Sequence, residues 1–135
     1  MFVRKRILIV ENVEMNRQFL RHVLTNAGYV TETVMSGQDA LKRLEDEDFD
    51  IFFVDVNMPD LDGIKFIQSL HVMSGYESVP IIAVTKSNPD SLKEKGSKIG
   101  IVEWVRTPLS REKLLSMLRT MGLINKYHAQ SLVSG

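Results

Sequence analysis

The sequence predicts an α/β fold in which five parallel strands alternate with five helices. Four short segments are apolar at almost every position, which is typical of strands buried on both faces of a sheet. A fifth segment is rich in β-branched residues, and stretches with apolar residues at helical spacing separate the five. A chain of 135 residues has the size of one domain.

The first two strand–helix units lie in the N-terminal third of the chain. Residues Ile7–Val10 form the first predicted strand and Tyr29–Val34 the second. Gly28 stands just past the intervening helix, at the position where helices favour glycine. The apolar residues of that helix are Phe19, Leu20, Val23, Leu24 and Ala27. Ser36 can cap the second helix, whose inward residues are Ala40, Leu41 and Leu44.

The remaining units follow at similar spacing. Residues Ile51–Val54 form the predicted central strand, Ile81–Val84 the fourth and Val102–Val105 the last. Gly63 opens the third helix and Ser110 caps the fifth. The inward residues of these two helices are Ile64, Ile67, Leu70, Leu114, Leu115, Leu118 and Met121.

The predicted fourth helix, Asp90–Lys98, is weaker because Gly96 and two serines lower its helix propensity. Parallel strands need crossover connections, and these place helices on both faces of the sheet. The expected architecture is a flavodoxin-like (βα)5 three-layer sandwich with strand order 2-1-3-4-5. Residues 1–122 form the predicted domain. Residues 123–135 extend the last helix, form a tail or begin a linker.

The composition excludes several classes of protein. Seventeen basic residues balance seventeen acidic ones, so no nucleic-acid or membrane surface is predicted. No cysteine is present, which rules out disulfides and thiol chemistry. The first apolar run is too short for a signal peptide or a membrane span, so we expect a cytoplasmic protein.

Polar side chains follow the strands at the points where they end. Asp55 ends the central strand and is the strongest candidate for a functional residue, because open α/β sheets place their chemistry at the carboxyl ends of strands. Glu11 and Asn12 follow the first strand, Thr85 the fourth and Thr107 the fifth. If the strands are parallel, these side chains converge on one edge of the sheet.

Several motifs occur in an order that resembles the receiver domain of two-component response regulators. The segment Met58-Pro59-Asp60-Leu61-Asp62-Gly63 follows the apolar strand and Asp55. Further matches are Ile-Leu-Ile-Val before Glu11-Asn12, Pro80-Ile-Ile-Ala-Val-Thr85, Gly100, and Trp104-Val105 before Pro108. The resemblance covers about the first 120 residues.

The resemblance implies a phosphorylation site. In the family, the aspartate at the position of Asp55 accepts a phosphoryl group from a histidine kinase. The residue at the position of Thr85 is the switch hydroxyl, which binds a phosphoryl oxygen and moves toward the phosphate. Trp104 falls on the switch-aromatic position, although packing alone would also explain it. The implied Mg²⁺ ligands are Glu11, Asn12, Asp55 and the backbone carbonyl of Asn57.

Two positions depart from the family pattern. Asn12 replaces an acid, which predicts weak Mg²⁺ binding, and asparagine is also a good helix N-cap. Thr107 replaces the lysine that contacts phosphate before the proline. Lys86 is either a substitute cation or a solvated loop lysine.

These departures leave two functions open. The first is a phosphorylatable receiver, a signalling module with at most weak autocatalysis and not an enzyme. The second is a pseudo-receiver that binds proteins independently of phosphorylation. A phosphatase of the haloacid dehalogenase type is disfavoured, because Asn57 stands where it needs a second aspartate.

The expected partners follow from the resemblance. They are a histidine kinase or phosphotransfer protein, and a downstream protein or output domain. The downstream partner would bind the face formed by Asp90–Lys98, Trp104 and the last helix. A homodimer is a further option.

Overall fold

A computed structural model describes residues 4–124 and contains a five-stranded, fully parallel sheet. The strand order is β2-β1-β3-β4-β5, which confirms the predicted flavodoxin-like topology. The strands are β1 (Arg6–Val10), β2 (Val30–Val34), β3 (Ile51–Asp55), β4 (Ile81–Thr85) and β5 (Ile101–Arg106).

Five α-helices connect and follow the strands. They are α1 (Glu14–Asn26), α2 (Gly37–Arg43), α3 (Asp62–His71), α4 (Lys93–Lys98) and α5 (Arg111–Thr120), and a short 3₁₀ turn at Pro59–Leu61 precedes α3. Both predicted serine caps are present. The Ser36 hydroxyl accepts the Asp39 backbone N–H at 3.0 Å, and that of Ser110 accepts the Lys113 N–H at 3.3 Å.

Some boundaries differ from the sequence prediction. Helix α3 begins at Asp62, one residue before Gly63. Helix α4 begins only at Lys93, because the Asn88 side chain accepts the Asp90 backbone N–H at 3.0 Å and holds a turn where the helix was predicted to start.

Strand β5 starts one residue early and contains a register shift. Ile101 pairs with Ile81, but the next pair joins Glu103 to Ile82. Val102 is therefore the extra residue of a bulge, and it is 57% exposed. The predicted strand Val102–Val105 missed this irregularity because strand propensity does not report the register of pairing.

The core has two layers, one on each face of the sheet. Successive side chains of a strand point to opposite faces of the sheet, so each strand contributes residues to both layers. Leu8, Phe52 and Ala83 pack with residues of α2 and α3, whereas Ile9 and Phe53 pack with residues of α1 and α5. The polar residues at the carboxyl ends of β1, β3 and β4 belong to neither apolar layer.

The C-terminal part of the chain returns to the α1 side of the molecule. Helix α5 ends at Thr120, and Leu123 and Ile124 pack against the α1–α5 layer. The Tyr29 hydroxyl donates a hydrogen bond to the Leu123 carbonyl. Residues 125–135, most of the predicted extension, lie outside the described residues. No helix within residues 4–124 is long and apolar enough to cross a bilayer.

Candidate functional site

Three polar side chains are buried in the described part of the chain, and all three lie at the carboxyl ends of strands. Glu11 follows β1 and is 1% exposed, Asp55 ends β3 at 7% and Thr85 ends β4 at 1%. Burying a polar or charged group is unfavourable unless it is paired. Three such residues at one edge of the sheet therefore mark a candidate site.

Glu11 has an unpaired oxygen. Its Oε1 atom accepts the backbone N–H of Val13 at 3.0 Å, whereas its buried Oε2 atom has no hydrogen-bond partner. Burial, and then the neighbouring Asp55 carboxyl, raise the pKa of Glu11 from 4.5 to about 8. A cation placed between the Glu11 and Asp55 carboxylates would give the Glu11 Oε2 atom a partner. It would also offset the repulsion between the two carboxylates.

Asp55 is held by the segment that follows it. Its Oδ1 atom accepts the backbone N–H of Asn57 at 2.7 Å. A Cβ atom at Gly63 would lie 2.0 Å from the Asp55 backbone oxygen, so only glycine lets α3 approach the end of β3 this closely. The sequence identified Gly63 as a helix start, but this contact required the structure.

The Thr85 side chain contacts the loop that follows β4. Its Oγ1 atom accepts the Ser87 backbone N–H at 3.2 Å and lies 3.4 Å from the Ser87 carbonyl oxygen. The Thr107 backbone N–H donates to the Thr85 carbonyl at 2.8 Å, which places Thr107 beside the end of β4. Thr107 is half-buried.

The Asn57 side chain connects two loops. Its Oδ1 atom accepts the backbone N–H of Lys86 at 2.8 Å, across 29 positions of sequence. From the sequence, only the backbone carbonyl of Asn57 was a candidate. No local pattern could have indicated the side-chain contact.

Lys86 and Asn12 are both exposed. The ion pairs found within 4.0 Å among residues 4–124 do not join Lys86 to Glu11 or Asp55. Asn12 does not cap α1, because the N-cap position is Val13 and no side chain caps it. The N-cap interpretation of Asn12 is therefore wrong.

Trp104 is half-buried and packs against α4 and the α3 side of the core. A Cβ atom at Gly96 would lie 2.6 Å from the Trp104 Cζ2 atom, so α4 rests directly on the indole. This contact accounts for glycine in the middle of a helix. It also couples the position of α4 to that of Trp104.

The loop after Asp55 is strained and anchored. Asp60 and Leu61 have left-handed backbone conformations, with φ of 59° and 56°, and such conformations are unfavourable for non-glycine residues. The Asp62 Oδ2 atom accepts the Gly37 backbone N–H at 2.5 Å, which ties the start of α3 to α2. Leu61 is 62% exposed next to the site.

The residues at this edge fit a hard divalent cation. Among the described residues no cluster of three or more His, Cys, Asp or Glu side chains forms a metal site. Two carboxylates, a backbone carbonyl and an amide oxygen are nevertheless all oxygen donors, which Mg²⁺ prefers. The unpaired Glu11 Oε2 atom is the observation that favours a cation here.

Comparison with known proteins identifies the class. The model of the response regulator receiver domain matches residues 7–119, and the chain belongs to this family. Its members are signalling modules of two-component systems.

Individual relatives show the breadth of the family. The solved structure of the chemotaxis response regulator CheY4 of Vibrio cholerae is 32% identical, with a TM-score of 0.79, over 87% of this chain and 98% of that one. The histidine-protein kinase BarA of Escherichia coli is 28% identical over 83% of this chain. The chain spans 12% of BarA and 8% of hybrid histidine kinase L of Dictyostelium discoideum.

A second solved relative contains a metal. The receiver domain of sensor histidine kinase PA1611 from Pseudomonas aeruginosa has a magnesium ion coordinated in its active site cleft. It is 25% identical to this chain, with a TM-score of 0.75, over 87% of this chain and 97% of that one.

Proposed function

We propose that this chain is a phosphorylatable receiver that accepts a phosphoryl group on Asp55 from a histidine kinase or phosphotransfer protein. The observation that carries the proposal is the burial of Asp55 between Glu11, with its unpaired oxygen, and Thr85. In the transfer, an Asp55 carboxylate oxygen attacks the phosphorus of a phosphohistidine. The P–N bond breaks, and the imidazole leaves with its electron pair and takes up a proton.

Repulsion between Asp55 and the incoming phosphoryl group is the main barrier that this site must lower. Glu11, Asp55, the Asn12 side-chain oxygen and the Asn57 carbonyl would hold Mg²⁺. The bound ion would supply the positive charge that offsets the repulsion. The Asn57 N–H fixes the orientation of the Asp55 carboxylate. The neutral side chain of Asn12 makes the proposed binding of Mg²⁺ weak for the family.

Intact-mass measurement after incubation with acetyl phosphate and Mg²⁺ tests the proposal. We expect a gain of one phosphoryl group, which Asp55→Asn abolishes. Asp60→Asn is the matched control, because Asp60 is exposed in the same loop and asparagine tolerates its left-handed backbone. An adduct that persists in Asp55→Asn would contradict the assignment.

A pseudo-receiver is the second candidate. The observation that favours it is that neither Thr107 nor Lys86 supplies a cation to the site carboxylates. Thr107 is neutral, and Lys86 makes no ion pair with Asp55 or Glu11 within the described chain. A folded wild-type protein that gains no phosphoryl mass at saturating donor would contradict phosphorylation of Asp55 and favour this alternative.

We further propose that the face formed by α4, β5 and α5 binds the downstream protein or output domain. Strand β5 is an edge strand, and a groove of about 650 Å³ lies between it and α5. Its lining combines aromatic, cationic and apolar side chains, as interfaces often do. Among them are Trp104, Arg106, Leu109, Lys113 and Met117.

Hydrogen exchange with and without beryllofluoride, a phosphate mimic, tests this face. We expect the largest change between Thr85 and Thr107, because these residues link the site to α4 and β5. A change in hydrogen exchange confined to α1 and α2 would contradict the assignment of this face. Self-association on adding beryllofluoride would make a second copy the partner. We place the protein in the cytoplasm as part of this proposal.

A further inference from the structure

The Asn57 side chain is positioned to control the loop that follows β4. Its backbone N–H donates to Asp55 Oδ1 at 2.7 Å, and its side-chain Oδ1 accepts the Lys86 N–H at 2.8 Å. One residue therefore contacts both the candidate phosphoacceptor and the loop between β4 and α4.

Both hydrogen-bond donors at the end of β4 are already engaged. The Thr85 hydroxyl is within hydrogen-bond distance of Ser87, and the Lys86 N–H donates to Asn57. Asp55 and Val84 are register partners on neighbouring strands, so the two residues that carry these donors directly follow the strand partner of Asp55. The structure shows this loop in the arrangement in which its donors are used internally.

A phosphoryl group on Asp55 would compete for these donors. It brings negatively charged oxygens, and a charged acceptor forms stronger hydrogen bonds than a neutral amide oxygen does. The Lys86 N–H can turn toward the phosphoryl group only by leaving Asn57, because a backbone amide has one hydrogen to donate.

We propose that the Asn57 side chain is a latch: it holds the Lys86 N–H in the unphosphorylated state and competes for it with the phosphoryl group on Asp55. This inference rests on the proposed phosphoacceptor role of Asp55. It assigns a positioning role to a side chain for which only the backbone carbonyl was expected to matter. Each phosphorylation event must break the latch, so the latch lowers the affinity of the site for phosphate.

Asn57→Ala removes the latch and keeps the backbone carbonyl. Asn88→Ala is the matched control, because the Asn88 side chain also accepts one backbone N–H at 3.0 Å, but from Asp90 within the same loop. Asn57→Asp restores an acceptor oxygen. Thermal unfolding followed by circular dichroism establishes that all three variants are folded.

Amide exchange without metal or phosphate measures the latch by itself. We expect the Lys86 amide to exchange faster in Asn57→Ala, at the wild-type rate in Asn88→Ala, and with protection regained in Asn57→Asp. An unchanged Lys86 rate in Asn57→Ala would overturn the proposal, because the bond would then have no effect in solution.

Beryllofluoride titration with saturating Mg²⁺ measures the competition. We expect Asn57→Ala to bind roughly two- to tenfold more tightly than wild type, since one hydrogen bond no longer has to be broken. Equal or weaker binding in Asn57→Ala would overturn the competition. If wild type bound no beryllofluoride and formed no adduct on Asp55, the proposed function would fall and the competition with it, whatever the Lys86 exchange rate.

Discussion

Replacing Glu11 by glutamine should remove a large part of the pH dependence of folding in the metal-free protein. Burial and the nearby Asp55 carboxyl raise the pKa of Glu11 from 4.5 to about 8 in the folded state. Between these values the folded protein holds a proton that the unfolded chain has released. Stability from this group is therefore complete below pH 4.5 and declines as the pH rises toward 8.

The size of the effect follows from linkage. Each pH unit between the two pKa values lowers the free energy of unfolding by about 1.4 kcal/mol. From pH 5 to pH 8 the loss from Glu11 is roughly 2 to 4 kcal/mol. A domain of this size has a total stability of about 5–15 kcal/mol, so the loss is readily measured.

Urea denaturation in the presence of EDTA, repeated from pH 5 to pH 8, is the assay. We expect wild type to lose stability with rising pH by the amount above, and Glu11→Gln to have a much flatter profile because an amide does not titrate. Glu45→Gln is the matched control, since Glu45 is exposed. Its profile should run parallel to that of wild type.

Parallel profiles for wild type and Glu11→Gln would refute this reasoning. They would mean that the Glu11 carboxylate is solvated in solution or that its Oε2 atom has a hydrogen-bond partner there. Saturating Mg²⁺ provides an independent arm. A bound cation favours the ionised carboxylate, so it should reduce the decline with pH in wild type only.

Three further outcomes are expected. Asn12→Asp should tighten Mg²⁺ binding about tenfold or more in a calorimetric titration, because it adds a charged ligand; equal affinity would remove Asn12 from the metal site. Thr107→Lys should enlarge the change in Trp104 fluorescence on phosphorylation, since it adds a cation beside the end of β4. We expect the wild-type change to be small because Thr107 is neutral, and a wild-type change as large as that of Thr107→Lys would contradict this expectation. Gly96→Ala should destabilise the protein by about 1–3 kcal/mol and shift the Trp104 emission, because its methyl group would lie 2.6 Å from the indole; Ser97→Ala, the adjacent control, should do neither.

The prediction of the fold from the sequence was largely correct because local patterns specify it. The apolar segments of β1, β3 and β4 favour burial on both faces, which is typical of parallel strands covered by helices. Ser36 and Ser110 mark helix starts through contacts only three residues long. The convergence of Glu11, Asp55 and Thr85 at one edge then follows from the parallel topology.

Local patterns failed where side chains compete with the backbone. The Asn88 turn shortened α4, and Asn12 did not become the cap that its residue type favours. The bulge at Val102 was invisible because β-propensity does not report register.

By itself, the sequence determined the alternation of strands and helices, the two serine caps and the identity of the polar residues at the sheet edge, because each depends on neighbours in the chain or on strand direction. The tertiary structure alone decided how those residues are connected. Glu11 keeps an unpaired buried oxygen, Gly63 lies against Asp55, and Asn57 holds Lys86 across 29 positions. Such contacts depend on distances of a few ångströms between segments remote in sequence, and no composition, period or motif encodes those distances.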